Sequence, residues 1–588
     1  MSRGRTNLVL MPLLCLTSIA LAAEDDGQWT MATHDYANVR FSGLDQINTD
    51  NAKNLKLAWT FTNGVFRGQE AAPLVVGDTM YVISPFPNYL YALDLTKGGE
   101  LKWKYDPKGE AAAKGEACCD WVNRGGSYAD GRIYYNVMDC HTVAVDAKTG
   151  QEVWKTKIGD IAIGETVTMA PLVAKGNVYV GISGGEMGVR GRLTCIDAAT
   201  GKIKWKAWST GPDSDCLIGP RFKPFYGSDQ GKDLGVKTWP PDHWKIGGGT
   251  IWGFLSFDPE SNMIFYGTGN PGSWNPDLRP GDNKWSCGIF ARDADTGEAI
   301  WFYQTSPHDL FDHDGINECM LLDLKVDGPD KPARKVLVHP GRTGYMYILD
   351  RMTGQVLSAE PFGRITAAKG VDLKSGRLIE NEAKRPQVGK VIRDVAPASP
   401  GMKDWQPTAY SPRTGLLYVP HQNLTCDYET VETGYIAGTP YLGVNERMYG
   451  GPGGYRGKFM AWDLINKKEV WSIKENFPAW SGTVVTAGDV AFYGTMDRHF
   501  KAVNAKTGQV LWDYVTDSGI IGQPVTYKAP DGKQYVAVLA GVGGWSGAIV
   551  VGQLDKRDPS GALGFVGAMR DLPDHTPPGD KLYVFSLP

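Results

Sequence analysis

Short apolar runs alternate with Gly-, Asp- and Thr-containing breaks along almost the whole chain, and one phrase recurs among them. A brief apolar stretch leads to Asp, then a small turn with Thr-Gly, a few residues, and Trp. It appears as ALDLTKGGELKW (ending at Trp103), AVDAKTGQEVW (Trp154), CIDAATGKIKW (Trp205) and RDADTGEAIW (Trp301). It returns as ILDRMTGQVLS, with Ser358 in the Trp place, AWDLINKKEVW (Trp471) and AVNAKTGQVLW (Trp512). KNLKLAWT, ending just after Trp59, is an eighth copy without its first half. Each copy predicts two strands joined by a hairpin turn, with a tryptophan free to lie on the neighbouring copy. Strand repeats of this kind build propeller blades, so the pattern predicts an all-β, eight-bladed β-propeller with tryptophan-docking repeats. The partial first copy predicts closure of the ring by strands from both chain ends, with Trp59 beside Tyr583. No Gly/Ser-rich or charged linker separates the copies, so residues 23–588 are expected to form one domain. The gaps from Trp205 to Trp301 and from Ser358 to Trp471 exceed the others, which predicts long inserted loops where propellers build their sites.

Composition agrees with many short strands: 73 Gly, 19 Trp and 26 Tyr in 588 residues. A net charge of -4 gives no electrostatic case for nucleic acid. Beyond the first residues no apolar run is long enough to span a bilayer. The start of the chain has the layout of a secretory signal. Arg3 and Arg5 precede an apolar run from Leu8 to Leu21, and Ala20-Leu21-Ala22 fits the small-x-small cleavage rule. Residues 1–22 are therefore expected to be removed and the rest to work in the periplasm, where disulfides persist. Of nine cysteines, Cys15 lies in that leader. The remainder contain neither the C-x-x-C-H of an attached haem nor a zinc-like C-x-x-C.

Three stretches carry candidate chemistry. Residues 307–315 (PHDLFDHDG) hold Asp309, Asp312 and Asp314 with His308 and His313. If extended, this stretch would aim Asp312 and Asp314 the same way. Two converging carboxylates repel, and one pKa rises unless a cation lies between them. Alone, the stretch reads first as a solvated acidic loop with Asp-Gly turn chemistry. GGGTIWGFLSFDPE (247–260) sets Trp252 among glycines without the lead-in of the repeat, as a stacking platform would need. GEACCDWVNRG (115–125) contains adjacent cysteines. They are either two buried thiols or a strained eight-membered disulfide ring with a stiff apolar surface.

Together the repeat, ACCDWVNRG, GGGTIWG, YGTGNPGSWNP and SPHDLFDHDGINE resemble the pyrroloquinoline quinone (PQQ) dependent alcohol dehydrogenases, in the same order over nearly the whole mature chain. SGGEMGVRG (183–191), RPGDNKW (279–285) and GVGGWSGAIV (541–550) are most similar to methanol dehydrogenase large subunits of the lanthanide-dependent, XoxF-type branch. The resemblance implies that PQQ lies between Trp252 and a Cys118–Cys119 disulfide. Its implied polar and backbone partners are Glu70, Arg124, Thr168, Ser183, Gly184, Gly185, Thr250, Arg342, Asn423 and Trp480. Arginine forks and hydroxyls suit a tricarboxylate quinone. The implied metal ligands are Glu186, Asn270, Asp312 and Asp314, all oxygen donors as a hard cation requires. His313 replaces an aromatic residue of many relatives, and HQNLTCDYE departs slightly from the family segment.

The implied mechanism has Asp312 as general base on an alcohol hydroxyl, hydride passing to PQQ, and the metal as Lewis acid, with Arg342 stabilising charge on the quinone oxygen. Methanol is the implied substrate, with formaldehyde and other short primary alcohols accepted. With no haem motif here, electrons are expected to leave to a separate periplasmic cytochrome c. A homodimer is implied as well. A lanthanide of the La, Ce, Pr or Nd type is expected rather than calcium. In calcium-dependent relatives the Asp314 position is small and uncharged, and the Gly185 position is alanine. The alternatives are a PQQ enzyme for ethanol or longer alcohols, and an envelope propeller scaffold that shares the repeat. The scaffold needs neither the adjacent cysteines nor the Glu/Asn/Asp/Asp set.

Overall fold

The computed structural model describes residues 26–588, so the expected leader lies outside the described residues. Each copy of the repeat folds as its turn chemistry dictates. Asp146 Oδ1 accepts from the backbone and hydroxyl of Thr149, each at 2.8 Å, and Gly150 closes the turn at φ +73°, a conformation that disfavours side chains. The Asp and Thr positions of the phrase thus staple the hairpin. Beyond the turn the register shifts between Glu152 and Trp154, and Trp154 pairs with the small Ala144. The bulge turns the indole off the sheet.

Where each indole goes is equally regular. Trp154 Nε1 donates to Ala198 O at 3.0 Å, Trp205 to Asp295 O at 3.0 Å, Trp301 to Arg351 O at 3.0 Å and Trp471 to Ala505 O at 3.1 Å. All four acceptors belong to the turn of the next copy. The rings lie over the turn glycines: a Cβ on Gly201 would come within 2.7 Å of Trp154, and one on Gly508 within 2.8 Å of Trp471. The glycine is therefore needed for close approach as well as for its φ. The copy that ends in Ser358 is followed by one with Lys467 in place of the turn glycine. Tryptophan and glycine are lost as a pair, because a side chain at the turn would occupy the space of the indole.

Among the described residues the strands form eight main sheets, antiparallel except where Phe41–Ser42 runs parallel to Val484–Thr486. The first comprises Leu74–Val76, Thr79–Ile83, Leu90–Asp94 and Glu100–Tyr105. In the last, Lys56–Thr62 pairs with Lys581–Ser586, Thr60 opposite Tyr583, so one sheet holds strands from both ends of the chain. The segment before the first repeat ties the sheets together. Gly27 O accepts from Lys528 N of the last sheet, and Trp29 pairs with Val75 of the first. Thr30 O then meets Tyr128 N, Tyr36 meets Val173 and Phe257, and Ala37 O meets Leu321 N. Val39 O accepts from Tyr410 N and Arg40 O from Val485 N. Within fourteen consecutive residues this segment touches all eight sheets, the last one first and then the first to the seventh in turn, by backbone hydrogen bonds except at Val173, whose carbonyl accepts from the Tyr36 hydroxyl. Arg40 is fully buried there, donating to Thr483 O and Pro524 O at 2.7 Å.

Long insertions sit where the gaps predicted them. One carries the hairpin Ala368–Asp372 with Arg377–Glu380 and the small sheet Ile392–Val395, Leu424–Thr430 and Val444–Gly450. A further insertion, not anticipated, holds the helices Gly544–Val551 and Phe565–Met569. No helix among the described residues is long and apolar enough to cross a membrane.

Candidate active site

The acidic stretch lies between strands Ala299–Gln304 and Met320–Leu324. It is a turn rather than extended chain. Asp309 accepts from Asp312 N at 2.8 Å, His313 N at 3.1 Å and Ser306 Oγ at 2.8 Å. Asp312 takes φ +61°. Strand alternation is thus not what brings Asp312 and Asp314 together. Arg342 does so, with Nη1 3.1 Å from Asp312 Oδ2 and 3.3 Å from Asp314 Oδ2, while Nη2 donates to Asp404 Oδ1 at 2.7 Å. All four side chains are buried.

Burial dominates the electrostatics. It raises Asp312 well above the usual carboxylate range, with Asp314 adding repulsion, and lifts Asp314 to about 8. Glu186 is raised by the same cause. Burial opposes the charge on Arg342, but Asp404, Asp314 and Asp312 raise its pKa above the ordinary value. One guanidinium among this many carboxylates leaves the site short of positive charge. The remaining oxygens bear this out: Asp312 Oδ1, Asp314 Oδ1, Asn270 Oδ1 and Thr250 Oγ1 are buried with no hydrogen-bond partner. Gly185 adjoins them, since a Cβ there would stand 2.8 Å from Asn270 Oδ1 and 3.2 Å from Thr250 Oγ1. Tyr441 N, from the inserted loop, donates to Glu186 O at 2.6 Å. Among the described residues no three His, Cys, Asp or Glu side chains are grouped so as to hold a metal ion by themselves, and here Arg342 Nη1 stands close to both aspartates. Uncapped acceptor oxygens that cannot reach water are nevertheless the donor set a hard cation satisfies.

These residues lie at one end of a cavity lined in part by Glu186, Asp312 and Arg342. Its wall includes Trp252, with the guanidinium carbons of Arg124 and Arg342 5.1 and 5.2 Å from the ring centre. Arg124 Nη1 donates to Thr168 Oγ1 at 2.8 Å, and its Nε is 3.0 Å from Glu70 Oε2. Burial nonetheless pushes Glu70 up to about 8 against the pull of Arg124. Ser183, Gly184, Glu186 and Trp480 complete the expected lining, and Cys118 and Cys119 are disulfide-bonded at the rim. Gly185, Thr250, Asn270 and Asp314 stand just behind the wall.

One expected residue stands outside the cavity lining. Asn423 is not brought to the cavity: its amide donates to the carbonyls of Pro452 and Tyr455 at 3.1 and 2.8 Å, serving the fold of its own loop. The place beside Arg342 belongs to Asp404, which sequence reasoning missed, as it missed Trp274, Trp405, Trp545 and Leu563 in the wall. The Lys-Asp-Trp run at 403–405 was the available signal, two charges before an aromatic with no turn residue between them.

A fold of this kind with a cavity of this kind is that of a quinoprotein dehydrogenase. The chain matches the sequence model of the PQQ family described as glucose/ethanol/alcohol dehydrogenase, beta-propeller domain, over residues 29–359 and 457–536, and it belongs to that family. It is 50% identical over 571 residues, 96% of this chain and 93% of the relative, to the lanthanide-dependent methanol dehydrogenase of Methylacidiphilum fumariolicum. It is 41% identical over 615 residues, 100% of this chain and 97% of the relative, to methanol dehydrogenase (cytochrome c) subunit 1 of Methylorubrum extorquens. The solved structure of a europium-containing methanol dehydrogenase matches with a TM-score of 0.94 at 50% identity, covering 96% of this chain and 99% of that one.

Proposed function

We propose that this chain is a PQQ-dependent methanol dehydrogenase using a lanthanide ion, and that its eight sheets are the blades of one ring-closed propeller with tryptophan-docking repeats. The contacts of residues 27–40 with all eight sheets, the last one first and then the first to the seventh in turn, support the ring. The observation that carries the functional reading is the set of unpartnered buried oxygens on Asp312, Asp314 and Asn270 at the end of a cavity walled by Trp252 and the Cys118–Cys119 disulfide.

When bound, PQQ supplies the two-electron acceptor and the trivalent ion the Lewis acid that activates it. Glu186, Asn270, Asp312 and Asp314 would hold the ion. A trivalent ion compensates three carboxylates more fully than a divalent one, which is why a lanthanide is preferred to calcium here. Trp252 offers an aromatic face to the quinone and the disulfide a stiff cover opposite it. Arg124 and Arg342 present forks to its anionic groups, with Glu70, Thr168, Ser183 and Thr250 as further polar partners and Trp480 as a wall. Asp312, whose Oδ1 has no hydrogen-bond partner within the protein, accepts the hydroxyl proton of the alcohol. Arg342 keeps that carboxylate oriented through Oδ2 and stabilises negative charge developing beside it. Trp274, Trp545 and Leu563 exclude water and favour a small alcohol. The electron acceptor is a soluble cytochrome c, and the chain works as an exported, periplasmic homodimer.

The test is reconstitution of the metal- and cofactor-free protein with PQQ plus lanthanum or calcium, assaying methanol, ethanol and formaldehyde with a dye acceptor. Methanol turnover with lanthanum and little with calcium is expected. Full activity with calcium alone would overturn the metal assignment. A specificity constant for ethanol or butanol well above that for methanol would move the chain to the longer-alcohol enzymes.

A further inference from the structure

Beneath the cavity lies an ion pair that the chemistry above does not use. Lys403 and Glu318 are both fully buried, with Lys403 Nζ 2.5 Å from Glu318 Oε2. Every polar atom of the pair is occupied. Glu318 Oε1 accepts from Thr408 N at 3.0 Å and Thr408 Oγ1 at 2.6 Å. Lys403 Nζ also donates to Asp404 O at 2.8 Å, and Asn317 Nδ2 donates to Lys403 O at 3.1 Å. Glu318 stands four residues after Asp314 on the acidic loop, while Lys403 immediately precedes Asp404. The pair therefore fastens the loop carrying Asp312 and Asp314 to the loop carrying Asp404. These three carboxylates are the ones that share Arg342.

We infer that Lys403 and Glu318 are positioning residues for this site: by fixing Asp404 relative to Asp312 and Asp314, they set how the Arg342 charge is divided among the three. With Nη2 held by Asp404 at 2.7 Å, the guanidinium meets Asp312 and Asp314 through Nη1, at the longer 3.1 and 3.3 Å. If Asp404 withdrew, Arg342 would be free to close on the aspartates and compete with a cation for their oxygens. A buried ion pair is a costly way to pack a core, and similar hydrophobic volume often serves stability as well. Its worth here is geometric. The inference rests on the assignment of the cavity to PQQ and a trivalent ion.

The experiment compares wild type with Lys403→Met/Glu318→Gln, which removes both charges and keeps an amide oxygen in place to accept from Thr408. PQQ- and europium-loaded proteins are measured for kcat and KM with methanol, for europium emission lifetime, and for europium retained after dialysis. The double variant should lose about ten- to a hundredfold in kcat, the loss a displaced catalytic group carries, with KM little changed. Europium should be released faster and its emission lifetime altered. Thr408→Val, nearly isosteric and neutral, should move each readout in the same direction by a smaller amount, and it decides the matter if the double variant does not fold. Unchanged kcat, lifetime and retention in a folded double variant, or in Thr408→Val should the double variant not fold, overturn the inference. A wild type that binds no europium would instead refute the metal assignment beneath it.

Discussion

Replacing Asp314 by Asn should raise stability without the metal and lose most of that advantage over wild type when the metal is bound. In the metal-free protein Asp314 is buried and its pKa rises from 3.8 to about 8. A folded-state pKa above the unfolded one means the folded protein binds the extra proton. The penalty is absent below about pH 4, grows as pH rises, and levels off above about 8. At pH 7 the roughly three pH units separating the ordinary carboxyl from neutrality correspond to about 4 kcal/mol. For a chain of this length the unfolding entropy is about 1.2 kcal/mol per degree, so Asp314→Asn should melt about 3 °C higher than wild type at pH 7 without metal, and equally near pH 4. Glu70 and Glu446, raised to about 8 and about 7, tilt both proteins alike and cancel in the difference. With lanthanum a thousandfold above its dissociation constant, wild type should gain about 4 kcal/mol, and the variant much less because it has lost a ligand. Scanning calorimetry of both proteins at pH 4, 7 and 8.5, with and without lanthanum, measures all of this. A variant no more stable than wild type at pH 7 without metal, together with equal lanthanum stabilisation of both, would refute the reasoning.

Asp312→Asn should abolish methanol turnover while retaining bound PQQ, measured by quinone absorbance after gel filtration, because it removes the proton acceptor but leaves the walls intact. Mass spectrometry of the unreduced peptide spanning Cys118 and Cys119 should find the disulfide in active enzyme; two free thiols in fully active protein would end its assignment as the cofactor's cover. Trp301→Ala, at a fully buried indole, should cost about 3–5 kcal/mol and lower the melting temperature without changing KM for methanol. Terminal sequencing of periplasmic protein should give Ala23 or Glu24 as the first residue, and intact Met1 on soluble active enzyme would exclude cleavage of a leader.

The repeat was legible in the sequence because everything it needs is local. Asp and Thr cap their own turn, glycine supplies the positive φ, and the tryptophan follows four residues later, so a few consecutive residues state the geometry. The vicinal cysteines and the acidic stretch could be read for a related reason, since adjacency in sequence guaranteed adjacency in space. The meeting of Asp312 and Asp314 was anticipated from strand alternation, but Asp309 and Arg342 bring it about through a turn. Asp404 and Asn423 show where local information stops. Both are polar residues on inserted loops, and nothing beside them in the chain tells which faces Arg342. Long-range packing decides it, through the Lys403–Glu318 pair on one side and the Pro452 and Tyr455 carbonyls on the other. The segment from Gly27 to Arg40 is the extreme case. It has no periodicity to read, because its contacts fall on one sheet after another, and only the packing of those sheets around it gives it a course to follow.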